Sequence, residues 1–257
     1  MLPSSSPTVI TFEAMGTVVS LRLADTVAGE RRLREALATA ERVFDRWNER
    51  FSLYSPSSEI SLVASGHIRL TDASDELRSC YALALEWRDR TGGVFTPHRA
   101  DGVIDLSGVV KALAINQAGA ALSSSGLGSW SINAGGDVLV RGLPRADADW
   151  VTSIVNPLDR QDVLASVPMR GARSAVATSG SAERGEHIWT PGAEASPFRQ
   201  VSVFAADIVT ADVLATSIVA GGEATLSQST ADYPIDVLAV LRDGQLLATP
   251  GLRQVSH

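Results

Sequence analysis

The order of the hydrophobic patterns along the chain most constrains its fold. From Glu30 to Phe51, apolar residues recur at alternating spacings of three and four, which predicts an amphipathic helix with one buried stripe. Helical patterns follow from Leu77 to Trp87 and from Val109 to Leu122, whereas the second half of the chain holds mostly short strand-like runs. Helices first and strands later predict the α+β class.

Polar and glycine clusters set the expected ends of the helices. Thr71–Ser74 offers several N-cap residues for the second helix, and Gly92-Gly93 is expected to end it. The third helix is rich in alanine and lies between Gly108 and the run Ser123–Gly126. Thr210 is expected to cap a later apolar helix that ends at Gly221-Gly222.

The strand patterns predict an antiparallel arrangement. Trp130–Val140 is interrupted at Ala134-Gly135-Gly136, and we expect it to lie beside Trp150–Val155 with a close backbone approach or a β-bulge at the glycines. Gln200–Ala206 predicts another strand. The last element is a predicted hairpin in which Asp243-Gly244 joins two apolar runs, Ile235–Leu241 and Gln245–Thr249.

Composition excludes several classes of protein. A formal charge of -7 makes nonspecific attraction to nucleic acid or to an anionic membrane unfavourable. A single cysteine, Cys80, excludes an internal disulfide and a cysteine-based zinc cluster, so any metal is expected on oxygen or nitrogen ligands. No apolar run reaches the roughly eighteen residues of a membrane span. Met1–Pro7 lacks the features of an export signal, which predicts a cytoplasmic protein with a disordered tail over residues 1–11 and a single domain over residues 12–257.

Two glycine-containing segments could hold a ligand. In Asp105–Lys111 a polar turn feeds the start of a helix, which leaves backbone N–H groups and a positive dipole end for a phosphate; the alternative is a capped helix with a surface lysine. In Asn133–Asp137 the glycines favour a close approach by a backbone or a ligand.

Two further segments carry reactive side chains. His187 follows the small-residue run Ala175–Gly180 and could orient or deprotonate a hydroxyl, although a lone loop histidine is often only solvated. Asp212 and Thr216 stand four residues apart, so both lie on one helix face and could offer oxygen ligands to Mg²⁺; a solvated helix face is the alternative. A Gly-x-Ser-x-Gly nucleophile motif and zinc-type histidine spacing are both absent from the sequence.

Taken in order, these segments resemble the ApbE family, the FAD:protein FMN transferases. The resemblance runs from about Phe12 to Gly222 and depends on the order of many short matches: Ala14–Thr17, Phe51–Ser61, Thr91–Phe95, Asp105–Lys111, Asn133–Asp137, Ala175–Gly180, His187 and Ala211–Thr216. It implies the ApbE-like α+β fold, with helices packed on mixed or antiparallel sheets in two closely joined lobes.

The resemblance also implies an activity and its residues. The family transfers FMN from FAD to a threonine or serine hydroxyl of a client flavoprotein, with Mg²⁺, and releases AMP; the acceptor motif is Asp-x-x-Thr-x-Ser/Thr. By resemblance, His187 is catalytic, and the metal is held by Asp212, Thr216 and the backbone carbonyl of Val110. The residues that match the flavin-nucleotide segments are Met15, Tyr54, Val94, Phe95, Thr96, Ser107 and Lys111.

Four positions depart from the family pattern. Thr96 and Asn116 replace aspartates, Ala112 replaces a glycine, and Thr190 replaces the aspartate shortly after the histidine. The stretch Pro97–Val103 is also shorter than in the family. These departures keep two alternatives open beside the transferase: a module that binds or delivers FAD without transfer, and an FAD diphosphatase that releases free FMN and AMP. Tyr54 is the candidate for stacking on the flavin, with a core position as its alternative.

Overall fold

Three of the helices lie where the periodicity predicts them, and a further short helix over Glu59–Ala64 was not predicted. A computed structural model describes residues 8–24, 29–180 and 196–253. Helix α1 spans Glu30–Phe51, α2 Glu59–Ala64, α3 Asp75–Arg90 and α4 Ser107–Ser124. Ser58 and Ser74 cap α2 and α3, because each hydroxyl accepts a hydrogen bond from the backbone N–H three residues on, at 3.1 and 3.2 Å.

An eight-stranded sheet forms the centre of the molecule. Its strands are β1 (Thr8–Ala14), β2 (Thr17–Leu23), β3 (Trp130–Ala134), β4 (Asp137–Arg141), β7 (Ala175–Gly180), β8 (Phe198–Ala205), β9 (Asp236–Leu241) and β10 (Leu246–Ala248). They are hydrogen-bonded in that order, and every neighbouring pair is antiparallel. Strands β5 (Trp150–Asn156) and β6 (Asp159–Met169) form a separate two-stranded hairpin.

The sheet separates two apolar cores. On one face, residues such as Leu139 and Val203 pack against the helices in the larger core. On the other face, Val140 and Phe204 pack against Trp150 of the β5–β6 hairpin in the smaller core. Successive residues of β4, β7, β8 and β9 alternate between the two cores, as the period of two of a β-strand requires. The α+β class is confirmed.

Helix α5 (Ile208–Asp232) packs along the helical face of the sheet, and α6 (Pro250–Arg253) follows β10. Within the described residues, α5 alone has the length and composition that a membrane span would need, and it is mostly buried in the core. The helix is broken at Gly222, where φ is 69° and ψ is -153°. The predicted end at Gly221-Gly222 is therefore a break, after which the helix continues for another ten residues to Asp232.

The strand predictions need two corrections. Gly135 and Gly136 form neither a bulge nor an interruption of one strand: both have positive φ, 62° and 95°, and they make the two-residue turn between β3 and β4. The predicted pairing of Trp130–Val140 with Trp150–Val155 is also wrong. The free edge of β4 pairs with β7, and β5 leaves the sheet so that Trp150 and Ile154 can cover its face.

The first strands and one helix cap also differ from expectation. Residues 8–11, predicted as part of a disordered tail, lie in β1, which pairs along its whole length with β2; residues 1–7 lie outside the described residues. The cap of α5 is Asp207 rather than Thr210, because the Asp207 carboxylate accepts a hydrogen bond of 2.8 Å from the Thr210 N–H. The hairpin of β9 and β10 around Asp243-Gly244 is confirmed.

Candidate active site

Several of the sequence-predicted segments meet at one end of the sheet. The β1–β2 turn at Met15-Gly16 and the β3–β4 turn at Gly135-Gly136 lie side by side, since Gly135 donates its N–H to the carbonyl of Val18 at 3.2 Å. Strand β7 ends at Gly180 at this same end, opposite Gln200 near the start of β8. His187 follows Gly180 in the chain but lies outside the described residues.

The start of α4 is fixed to the sheet by a buried ion pair. Lys111, in the first turns of the helix, places its Nζ against Oδ2 of Asp137, the first residue of β4. The Asp137 side chain is fully buried, whereas that of Lys111 is 13% exposed. The other carboxylate oxygen, Oδ1, accepts a hydrogen bond of 3.1 Å from the backbone N–H of Thr178 in β7. One carboxylate therefore joins α4, β4 and β7.

The predicted metal pair lies on the buried side of α5. Asp212 is fully buried, and Thr216, one turn further along the helix, is half-buried. The Thr216 hydroxyl lies 3.0 Å from the hydroxyl of Ser179, the penultimate residue of β7. Helix α5 packs against α4 as well as against β4, β7 and β8, so the helix that carries Val110 and the helix that carries Asp212 are neighbours.

The Val94-Phe95-Thr96 segment lies between the two helices. A Cβ atom at Gly108 would stand 2.7 Å from Cε2 of Phe95, so the ring packs directly on the first turn of α4. A Cβ atom at Gly221 would stand 2.9 Å from Cγ1 of Val94, which places Val94 against the break in α5. Glycine at these two positions leaves room for the Val94-Phe95-Thr96 segment to pack closely on both helices. Neither glycine has a positive φ.

The other predicted nucleotide residues are more exposed. Met15 adopts a positive φ of 52° in its turn and is partly buried. Thr96 and Ser107 are exposed; the Thr96 hydroxyl accepts from the His98 N–H at 3.2 Å, and the Ser107 N–H donates to the Asp105 carboxylate at 2.9 Å. Tyr54 is 90% exposed, so the core alternative for this tyrosine is wrong.

The donor set fits a hard cation. A buried carboxylate at Asp212 and a hydroxyl at Thr216 are oxygen ligands of the kind that Mg²⁺ takes, and Mg²⁺ is commonly completed by water and substrate phosphate. Within the described part of the chain, three or more His, Cys, Asp or Glu side chains do not gather into a metal cluster.

Sequence reasoning named the segments of this candidate site but missed two of its contacts. It did not pair Lys111 with Asp137, and it did not assign a role to Ser179. The available signal was polarity within buried strands: Asp137 and Ser179 are buried polar residues, and buried polar groups require partners.

Solved structures with the same fold cover the whole chain. The ApbE protein of Thermotoga maritima aligns with a TM-score of 0.84 at 20% identity, over 98% of this chain and 100% of its own. The flavinyl transferase ApbE of Pseudomonas stutzeri, in its apo form, gives 0.80 at 15% identity over 100% of both chains. The flavin transferase ApbE of Vibrio cholerae gives 0.77 at 20% identity, over 97% of this chain and 99% of its own.

The sequence itself matches a family profile. Among curated protein sequences, none matches this chain significantly. The profile described as the ApbE family matches residues 15–103 and 98–239, which together include every described segment of the site. The chain belongs to the ApbE family.

Proposed function

We propose that this chain is a magnesium-dependent flavin transferase that moves FMN from FAD to a threonine or serine hydroxyl of a client flavoprotein. The proposal is carried by one observation: the Thr216 hydroxyl contacts Ser179 near the end of β7, one helical turn from the buried carboxylate of Asp212, in a chain that belongs to the ApbE family. Structures of the same fold that are named flavin transferases support it.

The proposed reaction replaces the phosphoanhydride bond between the two phosphates of FAD with a phosphoester bond to the client hydroxyl. The client hydroxyl oxygen attacks the FMN phosphorus of FAD, the bond between that phosphorus and the bridging oxygen breaks, and AMP leaves with the bridging oxygen. The hydroxyl proton passes to a base, for which we propose His187. Phosphoryl transfer depends mainly on positioning and on neutralising charge, so the enzyme needs few reactive side chains.

The chain's own residues would hold the two substrates in line. We assign Asp212, Thr216 and the Val110 carbonyl as the ligands of Mg²⁺, which when bound would neutralise charge on the pyrophosphate. We assign the nucleotide contacts to Met15, Tyr54, Val94, Phe95, Thr96, Ser107 and Lys111. The close packing of Phe95 on Gly108 supports this assignment, because it brings the Val94–Thr96 segment to the first turn of α4.

The test is a reaction of the purified protein with FAD, Mg²⁺ and a peptide or domain that bears the Asp-x-x-Thr-x-Ser/Thr motif. Mass spectrometry of the acceptor and quantification of AMP follow the two products. We expect covalent FMN and AMP in equal amounts, both lost in Asp212→Asn. Asp232→Asn, at the exposed end of the same helix, is the matched control and should retain activity.

Two alternatives give different products. AMP together with free FMN and an unmodified acceptor would identify an FAD diphosphatase. Bound FAD without AMP would identify a binding or delivery module. Exposed Thr96, which stands where the family has an aspartate, motivates the binding module. His187→Ala tests the proposed base separately: transfer at the wild-type rate would contradict that role.

A further inference from the structure

The Thr216 hydroxyl has an unusual partner for a residue inside a helix. A helical serine or threonine commonly donates to the carbonyl four residues earlier, and the neighbouring Ser217 does so, with its Oγ 2.7 Å from the Val213 oxygen. The hydroxyl of Thr216 instead pairs at 3.0 Å with Ser179, on a different element. Ser179 is only 3% exposed, so water competes little for this contact.

A second link reaches the same strand from α4. Lys111 directly follows Val110, and its Nζ contacts the buried carboxylate of Asp137, which in turn accepts from the Thr178 N–H at 3.1 Å. Thr178 and Ser179 are consecutive residues of β7. The end of β7 is thus linked to two helices. The Asp137–Lys111 pair links it to the first turns of α4, and the Ser179–Thr216 hydrogen bond links it to the first half of α5.

We propose that Ser179 and Asp137 are positioning residues for the cation site, Ser179 by orienting the Thr216 hydroxyl and Asp137 by holding, through Lys111, the turn that carries Val110. The inference rests on the proposed function, because that function assigns the ligands. Its physical basis is that threonine in a helix divides between two χ1 rotamers, and a hydrogen bond from β7 selects one of them. Hydrogen bonds to metal ligands from neighbouring groups commonly control metal affinity.

The test measures binding of Mn²⁺ alone to the full chain by electron paramagnetic resonance, since Mn²⁺ accepts the same oxygen ligands as Mg²⁺. We expect Ser179→Ala to weaken Mn²⁺ binding about tenfold. Ser202→Ala is the matched control: its hydroxyl also pairs with a threonine of β7, Thr178, at 2.8 Å, and it is fully buried, but it faces away from α5. This control should bind Mn²⁺ within about twofold of wild type, because it leaves the ligands and their partners intact.

A double-mutant cycle separates positioning from general loosening of the fold. If Ser179 acts through Thr216, the double variant Ser179→Ala/Thr216→Val should bind Mn²⁺ no more weakly than Thr216→Val alone. Fully additive losses, or wild-type affinity in Ser179→Ala, would overturn the inference. Ser179→Thr restores the hydroxyl and should recover most of the affinity, whereas a loss equal to that of Ser179→Ala would assign the effect to packing.

Two further variants complete the test. Asp137→Asn keeps an oxygen that can accept from Thr178 but weakens the tie to Lys111, and we expect a smaller loss of Mn²⁺ affinity, about threefold to tenfold; unchanged affinity would remove Asp137 from the proposal. Asp212→Ala should abolish the site. If it binds Mn²⁺ as wild type does, the metal assignment in the proposed function fails, which is distinct from the result in which only the Ser179 and Asp137 variants behave as wild type.

Discussion

At the scale of single residues, Asp137 is the clearest case of a polar group that the fold requires. Its side chain is fully buried, and both of its oxygens have partners, the Lys111 ammonium and the Thr178 N–H. A buried ion pair adds little net stability over an apolar pair, but removal of one partner leaves an uncompensated charge. The sequence predicted that the segments containing Lys111 and Asp137 could each hold a ligand. It could not predict the ion pair between them, because residues 111 and 137 become neighbours only when α4 packs on β4.

We therefore expect Lys111→Met to destabilise the protein by about 3 kcal/mol, as for other buried pairs that lose one member. The double variant Lys111→Met/Asp137→Asn should recover a large part of this loss, since it also removes the carboxylate charge. Urea unfolding followed by circular dichroism measures both. A double variant no more stable than Lys111→Met would contradict a buried charge as the cause.

Cys80 gives a prediction on pH. Burial on α3 raises the pKa of the thiol to about 12, from an ordinary value near 9.0. Above pH 9 the unfolded chain loses this proton while the folded chain keeps it, so the stability from this group is complete below pH 9 and falls as pH rises toward 12. The fall is at most about 1.4 kcal/mol per pH unit.

The matched measurement compares wild type with Cys80→Ala. Both should lose stability in alkali through other groups, but the wild type should lose more between pH 9 and pH 11, and the difference isolates the thiol. In the same range the native thiol should react slowly with Ellman's reagent and quickly after unfolding. Equal pH dependence in the two proteins would contradict a buried neutral thiol.

At the scale of elements, α5 carries the two proposed metal ligands Asp212 and Thr216 and is also broken at Gly222. Gly222 has a φ of 69° and a ψ of -153°, a conformation essentially confined to glycine. The break lies beside Pro197, and the preceding Gly221 packs against Val94. The glycine pair in the sequence predicted a helix end at this place, and the local backbone chemistry behind that prediction was correct. The continuation could not be predicted, since it depends on packing.

Gly222→Ala should cost about 1–3 kcal/mol, because the added Cβ is strained in this backbone conformation. Glu223→Ala, at the exposed next position, is the control and should change stability by no more than about 0.5 kcal/mol. Thermal unfolding of the three proteins provides the comparison. Wild-type stability in Gly222→Ala would mean that α5 can continue through residue 222 without the break.

At the scale of the whole molecule, periodicity predicted the helices better than the sheet. The stripe of α1 is specified within 22 residues and needs no distant partner to be recognised. The pairing of β4 with β7 and the placement of β5–β6 over the sheet face depend on contacts far apart in sequence, and an alternating strand pattern does not say which neighbour it will have. The same holds for the candidate site: the sequence could propose its segments but not the contacts between them.

The two cores on either side of the sheet should be separable by experiment. Val203 and Phe204 are consecutive residues of β8, both fully buried; Val203 faces the helices and Phe204 faces the β5–β6 hairpin. Val203→Ala and Phe204→Leu should each cost about 1–3 kcal/mol, because each leaves a small cavity in a packed core. Helix α5, with Asp212 and Thr216, packs only on the side of Val203.

Mn²⁺ affinity should consequently respond to one substitution and not to the other. Because packed interiors transmit small displacements, Val203→Ala should shift α5 and weaken Mn²⁺ binding several-fold. Phe204→Leu should bind Mn²⁺ as wild type does at temperatures where it remains folded. Its melting temperature should nevertheless fall by about as much as that of Val203→Ala. If both variants weaken Mn²⁺ binding equally, the sheet does not insulate the candidate site, and the hairpin core supports the proposed metal ligands as directly as the helical core does.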